Sequence, residues 1–325
     1  MTQRTVLVTG ANGYIGSQLV AALSGQKDGP QVVAMDVRQV EPARRLPGVH
    51  YCQTDVRAAD LSEQFGRFKP HVVAHLASIV TPGRSSSRAF EYSVDVEGTK
   101  NVLEACLASG ANKVVVSSSG AAYGYHPDNP ASITESCALR GNEAFAYAHH
   151  KRLVEHMLAR YRTEHPELQQ VVFRIGTVLG ETVKNQITDL FEKPRLMAVA
   201  GSDSPFVFVW DQDVVGCFLH AIETEHTGVY NVAGDGALTI YEIAARLNKK
   251  CLTVPAWALW AALWGLKGLR LSQYGPEQLD FLRYRPVLDN AKLKNEFGYR
   301  PKRTSAQVLD LYIEARRKQK KEVPR

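Results

Sequence analysis

Short β-branched runs alternate with longer stretches of helical period through the first half of the chain, and few architectures accommodate that alternation. "RTVLVTG", "QVVAMDV", "HVVAHLA", "KVVVSSS" and "QVVFRIG" are apolar on both faces, as strands buried between two layers are. Between them "GSQLVAALSG", "LSEQFGRF", "VEGTKNVLEACLASG" and "AFAYAHHKRLVEHMLARYRTEH" carry apolar residues at helical spacing. Strands separated by helices of this length cannot pair as hairpins. They form a parallel, doubly wound sheet covered by helices on both sides.

The regular alternation stops near Gly180, where proline, aromatic and charged residues mix with short helical patterns. "GVYNVAGD" is one more strand of the same apolar kind, so the chain is expected to return to the sheet. With 325 residues there is enough chain for two cores. The expected organisation is a dinucleotide-type domain over residues 1–180, rejoined at about 206–235, and a smaller interleaved α/β domain drawn mainly from residues 181–325. One stretch of the latter, "PAWALWAALWGLKGLRL" (Pro255 to Leu271), is apolar on nearly every face and ends in Lys267 and Arg270. It predicts a helix buried in the smaller domain or at a subunit contact. The other readings are an interfacial helix and the wall of a pocket for a greasy substrate. It is too short to span a bilayer.

At 45% hydrophobic and 22% charged, the composition is that of an ordinary globular protein, and no leader-like segment is evident at the start. The expected address is the cytoplasm. Five cysteines stand singly, which excludes a CxxC site and a disulfide framework. His149 and His150 are adjacent, so they point to different helix faces, and no metal is expected. The net charge of +6 owes much to the tail "ARRKQKK". Cations there suit a helix C-terminus, and no nucleic-acid signature accompanies them.

"VTGANGYIGS" places Gly10, Gly13 and Gly16 where a strand ends and a helix begins. The first glycine permits a tight turn, the second lets the backbone approach a pyrophosphate, and the third lets helix and strand pack closely. Free N–H groups at the helix start and the helix dipole favour the phosphates. Asp36 ends the next strand, about twenty residues on, where a carboxylate accepts hydrogen bonds from an adenosine ribose and repels a 2′-phosphate. NAD is the expected cofactor. Arg38 lies close enough to hold such a phosphate, so NADP stays open.

Further along, Tyr147 and Lys151 in "AYAHHK" are four residues apart on a predicted helix, hence on one face. "VVVSSSGAAYG" ends a parallel strand upstream, and ligands of such sheets bind beyond the carboxyl ends of the strands. Together "GANGYIG", "HLAS", "SSSGAAYG" and the Tyr147 to Lys151 spacing resemble the extended short-chain dehydrogenase/reductase family, in its NAD-dependent epimerase/dehydratase branch. The resemblance runs on to "GVYNVAGDGALTIYEIA" and "LKNEFGYRPK" near the C-terminus.

That resemblance implies a Rossmann-type fold and an enzyme in which Tyr147 is the general acid/base, Lys151 bridges to the nicotinamide ribose and Ser119 bonds the substrate oxygen. A phenol ordinarily ionises at about pH 10, and a neighbouring ammonium favours its phenolate. By the same resemblance Tyr14 and Ile15 line the pyrophosphate, Asp55 and Val56 border the adenine, and Leu76, Ala77 and Ser78 pass beneath the cofactor. It also implies a homodimer through the helices around "VEGTKNVLEACLA" and "EAFAYAHHKRLVEHMLA".

The departures narrow the chemistry. Gly120 and Ala121 follow Ser119 where sugar-nucleotide dehydratases of this family carry an Asp-Glu pair, so elimination of water is not expected. Asp95 and Thr177 stand where the epimerases usually have asparagines. The arginine expected in the region of "SPFVFVWDQD" is missing, whereas Arg285 in "RYRPVLD" sits where the family often places a second diphosphate contact. The leading expectation is epimerisation at a secondary hydroxyl of a sugar nucleotide, like UDP-glucose 4-epimerase, with Thr177 and Arg285 on the substrate side. The alternatives are oxidation or reduction of a sterol-like or lipid alcohol, and a non-catalytic sensor of the nicotinamide state.

Overall fold

The computed structural model describes residues 4–83, 86–203, 205–269, 275–276 and 278–322, with side chains followed to residue 319. Arg270 and Leu271 lie outside the described residues, as do the side chains of Lys320 and Lys321 in the basic tail. The strands in chain order are β1 (Thr5–Thr9), β2 (Gln31–Asp36), β3 (Val49–Gln53), β4 (Val72–His75), β5 (Lys113–Ser119), β6 (Gln169–Ile175), β7 (Thr177–Leu179), β8 (Leu196–Val199), β9 (Phe208–Trp210), β10 (Gly228–Val232) and β11 (Cys251–Val254). The helices are α1 (Tyr14–Ser24), α2 (Leu61–Phe68), α3 (Arg88–Tyr92), α4 (Gly98–Ser109), α5 (Ala146–Glu164) and α6 (Gln186–Glu192), followed by α7 (Asp211–Glu223), α8 (Ile240–Arg246), α9 (Ala256–Gly268), α10 (Gln278–Arg283), α11 (Ala291–Asn295) and α12 (Ser305–Glu322).

Seven strands form one sheet in the order β10-β6-β5-β4-β1-β2-β3. The pairs β1–β2, β1–β4, β2–β3 and β4–β5 are parallel, with Thr9 opposite Met35 on one side and His75 on the other. Chain order reverses between β1 and β4, so the loops leaving these two strands diverge and open the crevice in which doubly wound sheets bind ligands. β10 takes its place at the edge beside β6, the return expected of "GVYNVAGD". β3 was not evident from the sequence: "VHYCQ" is an edge strand only partly covered, so it lacks the apolar run that marks the inner strands.

By contact density the chain divides into two units. The first comprises residues 1–119, 150–174 and 214–230, and the second 120–149, 175–213 and 231–325. In the first, one face of the sheet packs on α4 and α5 through a continuous core that includes Leu7, Val33, Val73, Val102, Leu103, Cys106, Val114, Val154, Leu158 and Val172. The helical spacing of 102, 103 and 106, and of 154 and 158, is what directs one face of each helix inward. Burial pushes the Cys106 thiol far up, so this cysteine acts as a small apolar side chain.

The second unit holds two short two-stranded sheets, β7–β9 and β8–β11, both parallel. Ser305 at the start of α12 ties the start of β9 to the loop after β10: its hydroxyl donates to the Phe208 and Gly236 carbonyls and accepts from the Phe208 N–H. Helix α9 does not follow the expectation of burial within the smaller domain. Only Leu259 is buried, and Trp257, Trp260 and Trp264 are 76%, 48% and 64% exposed.

Candidate active site

The glycine loop occupies the turn from β1 into α1. Gly10 has φ +67, in the left-handed region, and a Cβ there would lie 2.7 Å from the Ala77 nitrogen. A Cβ on Gly16 would lie 2.1 Å from the Gly10 carbonyl oxygen, and one on Gly13 would lie 3.0 Å from it. The three glycines therefore allow loop, helix start and the 76–77 backbone to lie against one another. Gly13 is the N-cap of α1, and it offers no side-chain cap to the helix end. An anion suits such an end.

Asp36, 7% exposed, fixes the loop from the next strand. Its carboxylate accepts from the Asn12 N–H at 2.9 Å and the Arg38 N–H at 2.9 Å. The Arg38 guanidinium donates to the Asn12 carbonyl at 2.9 Å. Nucleotide-side residues expected from the sequence, Tyr14, Ile15, Leu76, Ala77 and Ser78, thus gather around the ends of β1 and β4, where Tyr14 and Ile15 are half-buried in the first turn of α1. The glycines, the uncapped helix end and Asp36 fit a dinucleotide.

Asp55 and Val56 follow β3. The Asp55 carboxyl forms an ion pair with Arg57 at 2.6 Å, and the hydrogen bond from that guanidinium holds it below the usual carboxylate range against the opposing effect of burial. Val56 packs into the core, and a Cβ on Gly98 would lie 2.6 Å from its side chain.

Lys151 lies on α5, one helical turn beyond Tyr147, and is 5% exposed. Its ammonium donates to the Ser117 carbonyl at 3.0 Å, which fixes it against the end of β5. Burial pulls its pKa down, while the carboxylates of Asp95 and Glu155 act in the opposite direction. Ser119 is the last residue of β5 and is half-buried. Tyr147 is half-buried beside an aromatic group formed by Tyr125, Phe145, Phe281 and Tyr284, with Ala121 and Ala148.

Sequence reasoning missed what surrounds Lys151. Asp95 lies in a π-helical turn, Ser93–Glu97, that leads into α4, and such turns often re-aim a side chain at a functional place. Its carboxylate accepts from the Ser78 hydroxyl at 2.9 Å and the Ile79 N–H at 2.8 Å, and meets the His150 Nδ1 at 3.3 Å. Burial pushes this carboxyl up, but the His150 contact, the Lys151 charge and the two other donors outweigh it and hold the group ionised. His75, with its ring between the Thr9 and Thr99 hydroxyls at 2.7 and 3.0 Å, is driven down to about 3 by burial and by the Lys151 charge. It is neutral. Glu155 accepts from Ser118 at 2.5 Å and is bidentate to Arg174, whose closest approach is 2.6 Å.

In the second unit Thr177 opens β7, where its N–H donates to the Val207 carbonyl. Arg285 is held by rings: its guanidinium carbon lies 3.8 Å from the centre of Phe206 and 4.7 Å from that of Phe281. Its Nε and Nη2 are sealed from solvent and have no hydrogen-bond partner among the described residues. Burial pulls its pKa down to about 9. Among the described residues no group of three His, Cys, Asp or Glu is placed to hold a metal ion, and none of the five cysteines is joined in a disulfide.

A glycine-bound helix start, an acidic strand end and a Tyr-Lys helix on a doubly wound sheet define a nicotinamide-dependent oxidoreductase scaffold. The model of the NAD dependent epimerase/dehydratase family matches residues 6–233. The chain belongs to this family, and it is an enzyme of the extended short-chain dehydrogenase/reductase type that uses NAD. An uncharacterized protein of Mycobacterium tuberculosis is 24% identical over 318 residues, which cover 96% of this chain and 84% of that protein. A UDP-glucose 4-epimerase of Mycolicibacterium smegmatis is 37% identical over 164 residues, covering 48% of this chain and 50% of that one. Among solved structures, the Thermotoga maritima UDP-glucose 4-epimerase with UDP-glucose superposes with a TM-score of 0.75 at 20% identity, over 97% of this chain and 99% of that one. The Thermus thermophilus UDP-glucose 4-epimerase in complex with NAD gives 0.73 at 25% identity, over 96% and 99%.

Proposed function

We propose that this enzyme interconverts epimers of a sugar nucleotide by removing hydride from a secondary hydroxyl and returning it to the opposite face. The observation that carries the reading is the buried Lys151 ammonium, fixed on the Ser117 carbonyl one turn along α5 from Tyr147. NAD, when bound, supplies the hydride acceptor. Tyr147 takes the hydroxyl proton, Lys151 favours its phenolate, and Ser119 holds the substrate oxygen. Gly10, Gly13 and Gly16 receive the pyrophosphate and Asp36 the adenosine ribose, so the first unit is the nucleotide-binding one and the second recognises the substrate.

Two observations favour a sugar nucleotide and epimerisation. Arg285 keeps unpartnered donors on a buried guanidinium, as a site for a diphosphate requires. At the dehydratase position stands Gly120, which carries no proton-transferring group, and a Cβ there would lie 3.1 Å from the Leu288 side chain, so a carboxylate would require Leu288 to give way. Incubation with UDP-glucose should yield UDP-galactose without net NADH; no turnover and no uridine-nucleotide binding would remove the proposal.

We propose further that the enzyme is a cytoplasmic homodimer paired through α4 and α5. Light scattering at micromolar concentration checks this, and a monomer would contradict it.

A further inference from the structure

Helix α9 poses a separate problem from the catalytic chemistry. Three of the four tryptophans of the chain fall within its 13 residues. One stripe, Leu259 with Leu263, packs on Val199 and Leu279. The neighbouring stripe presents Trp257, Trp260 and Trp264 to solvent, and Leu266 and Leu269, on other sides of the helix end, are 42% and 72% exposed. Trp210, the fourth tryptophan, is by contrast half-buried under the Arg303 guanidinium at 4.7 Å. Single exposed apolar residues need no explanation, but a contiguous aromatic face does.

The chemistry of this face selects its partner. From residue 249 to 276 the sequence holds Lys249, Lys250, Lys267 and Arg270 and no Asp or Glu. Within α9 the polar side-chain groups are the indole N–H groups and the Lys267 ammonium, all donors. What complements large rings, hydrogen-bond donors and positive charge without acceptors is a layer of anionic acceptors lying over hydrocarbon. Tryptophan rings settle at that boundary in membranes. Thirteen residues make a helix about 20 Å long, short of the roughly 30 Å hydrocarbon thickness, and no helix among the described residues is long and apolar enough to cross a membrane.

We infer that α9 docks the enzyme on the surface of an anionic phospholipid bilayer, with Trp257, Trp260 and Trp264 entering the headgroup boundary and the exposed Lys250 and Lys267 facing the phosphates. This reading is independent of the substrate assignment. The test is co-sedimentation of the full-length protein with vesicles of equal parts phosphatidylcholine and phosphatidylglycerol, with tryptophan emission recorded in parallel. The protein should sediment, its emission should shift to the blue and be quenched by brominated lipid, and added salt should release it.

The double variant Trp257→Ser/Trp264→Ser, changed only at exposed positions, should keep its affinity for NAD and lose most of its vesicle binding. The variant Lys250→Glu/Lys267→Glu should bind at least about tenfold less tightly, since each cation near such a surface contributes about fivefold. Failure of the wild-type protein to sediment overturns the inference, as does vesicle binding unchanged in the tryptophan variant. Blue-shifted emission without lipid, together with a concentration-dependent mass that the same variant abolishes, also overturns it and assigns the face to a second copy of the chain.

Discussion

Two arginines withdrawn from water show how differently the two units treat a charge. Arg174, in the first unit, meets the Glu155 carboxylate with paired hydrogen bonds, and Ser118 completes the set. Arg285, in the second, is flanked by rings and leaves Nε and Nη2 without partners among the described residues. Burying a guanidinium is costly, and pairing with a carboxylate offsets the cost only when the geometry is good. The first arrangement is internally complete and belongs to the architecture. The second leaves donors open, and the proposed diphosphate contact would fill them.

Separating the two roles by mutation gives the largest expected effect first. Glu155→Ala strands the Arg174 guanidinium in the interior and should lower the unfolding free energy by about 3–5 kcal/mol, measured by urea denaturation. Arg285→Met should behave in the opposite way. Its stability should be unchanged or raised, because an unpaired buried charge has been removed, while the Kd for UDP measured by titration calorimetry should rise about thirtyfold or more. A stability loss in Arg285→Met equal to that of Glu155→Ala would erase the distinction.

His75 represents a third way of burying a titratable group, by keeping it neutral. Its pKa in the fold is about 3 against an ordinary 6.5, so the unfolded chain binds a proton that the folded one refuses. Stability from this source is complete above about pH 6.5 and is lost as the pH falls toward 3, by about 2 kcal/mol between pH 7 and pH 5. Urea midpoints at the two pH values check it, and His75→Asn should flatten the slope. At the small end, the Asp55–Arg57 pair is about a third exposed on each side. Arg57→Ala should change stability by less than about 1 kcal/mol, read from the same denaturation curves.

How much of this was legible beforehand follows from what local sequence can encode. The glycine loop and the Tyr147 to Lys151 spacing depend on residues within a few positions of each other, so their geometry is set by one turn and one helix. Glu155 and Arg174 are 19 positions apart on different elements, and nothing local marks them as partners. Asp95 drew attention only as a departure from an expected asparagine, and its contacts with His150 and Ser78 arise from a π-turn that no periodicity announces. Helix α9 teaches a related lesson. Apolar character on all faces says that a helix needs cover, and it does not say that the chain itself supplies it.

The most direct test of the catalytic account is the rate of UDP-galactose formation from UDP-glucose by Tyr147→Phe, with the NAD affinity measured on the same sample. Loss of the phenol proton relay should slow the reaction by about 10²–10⁴-fold and leave NAD binding as in the wild type. A variant that forms UDP-galactose at the wild-type rate would contradict it.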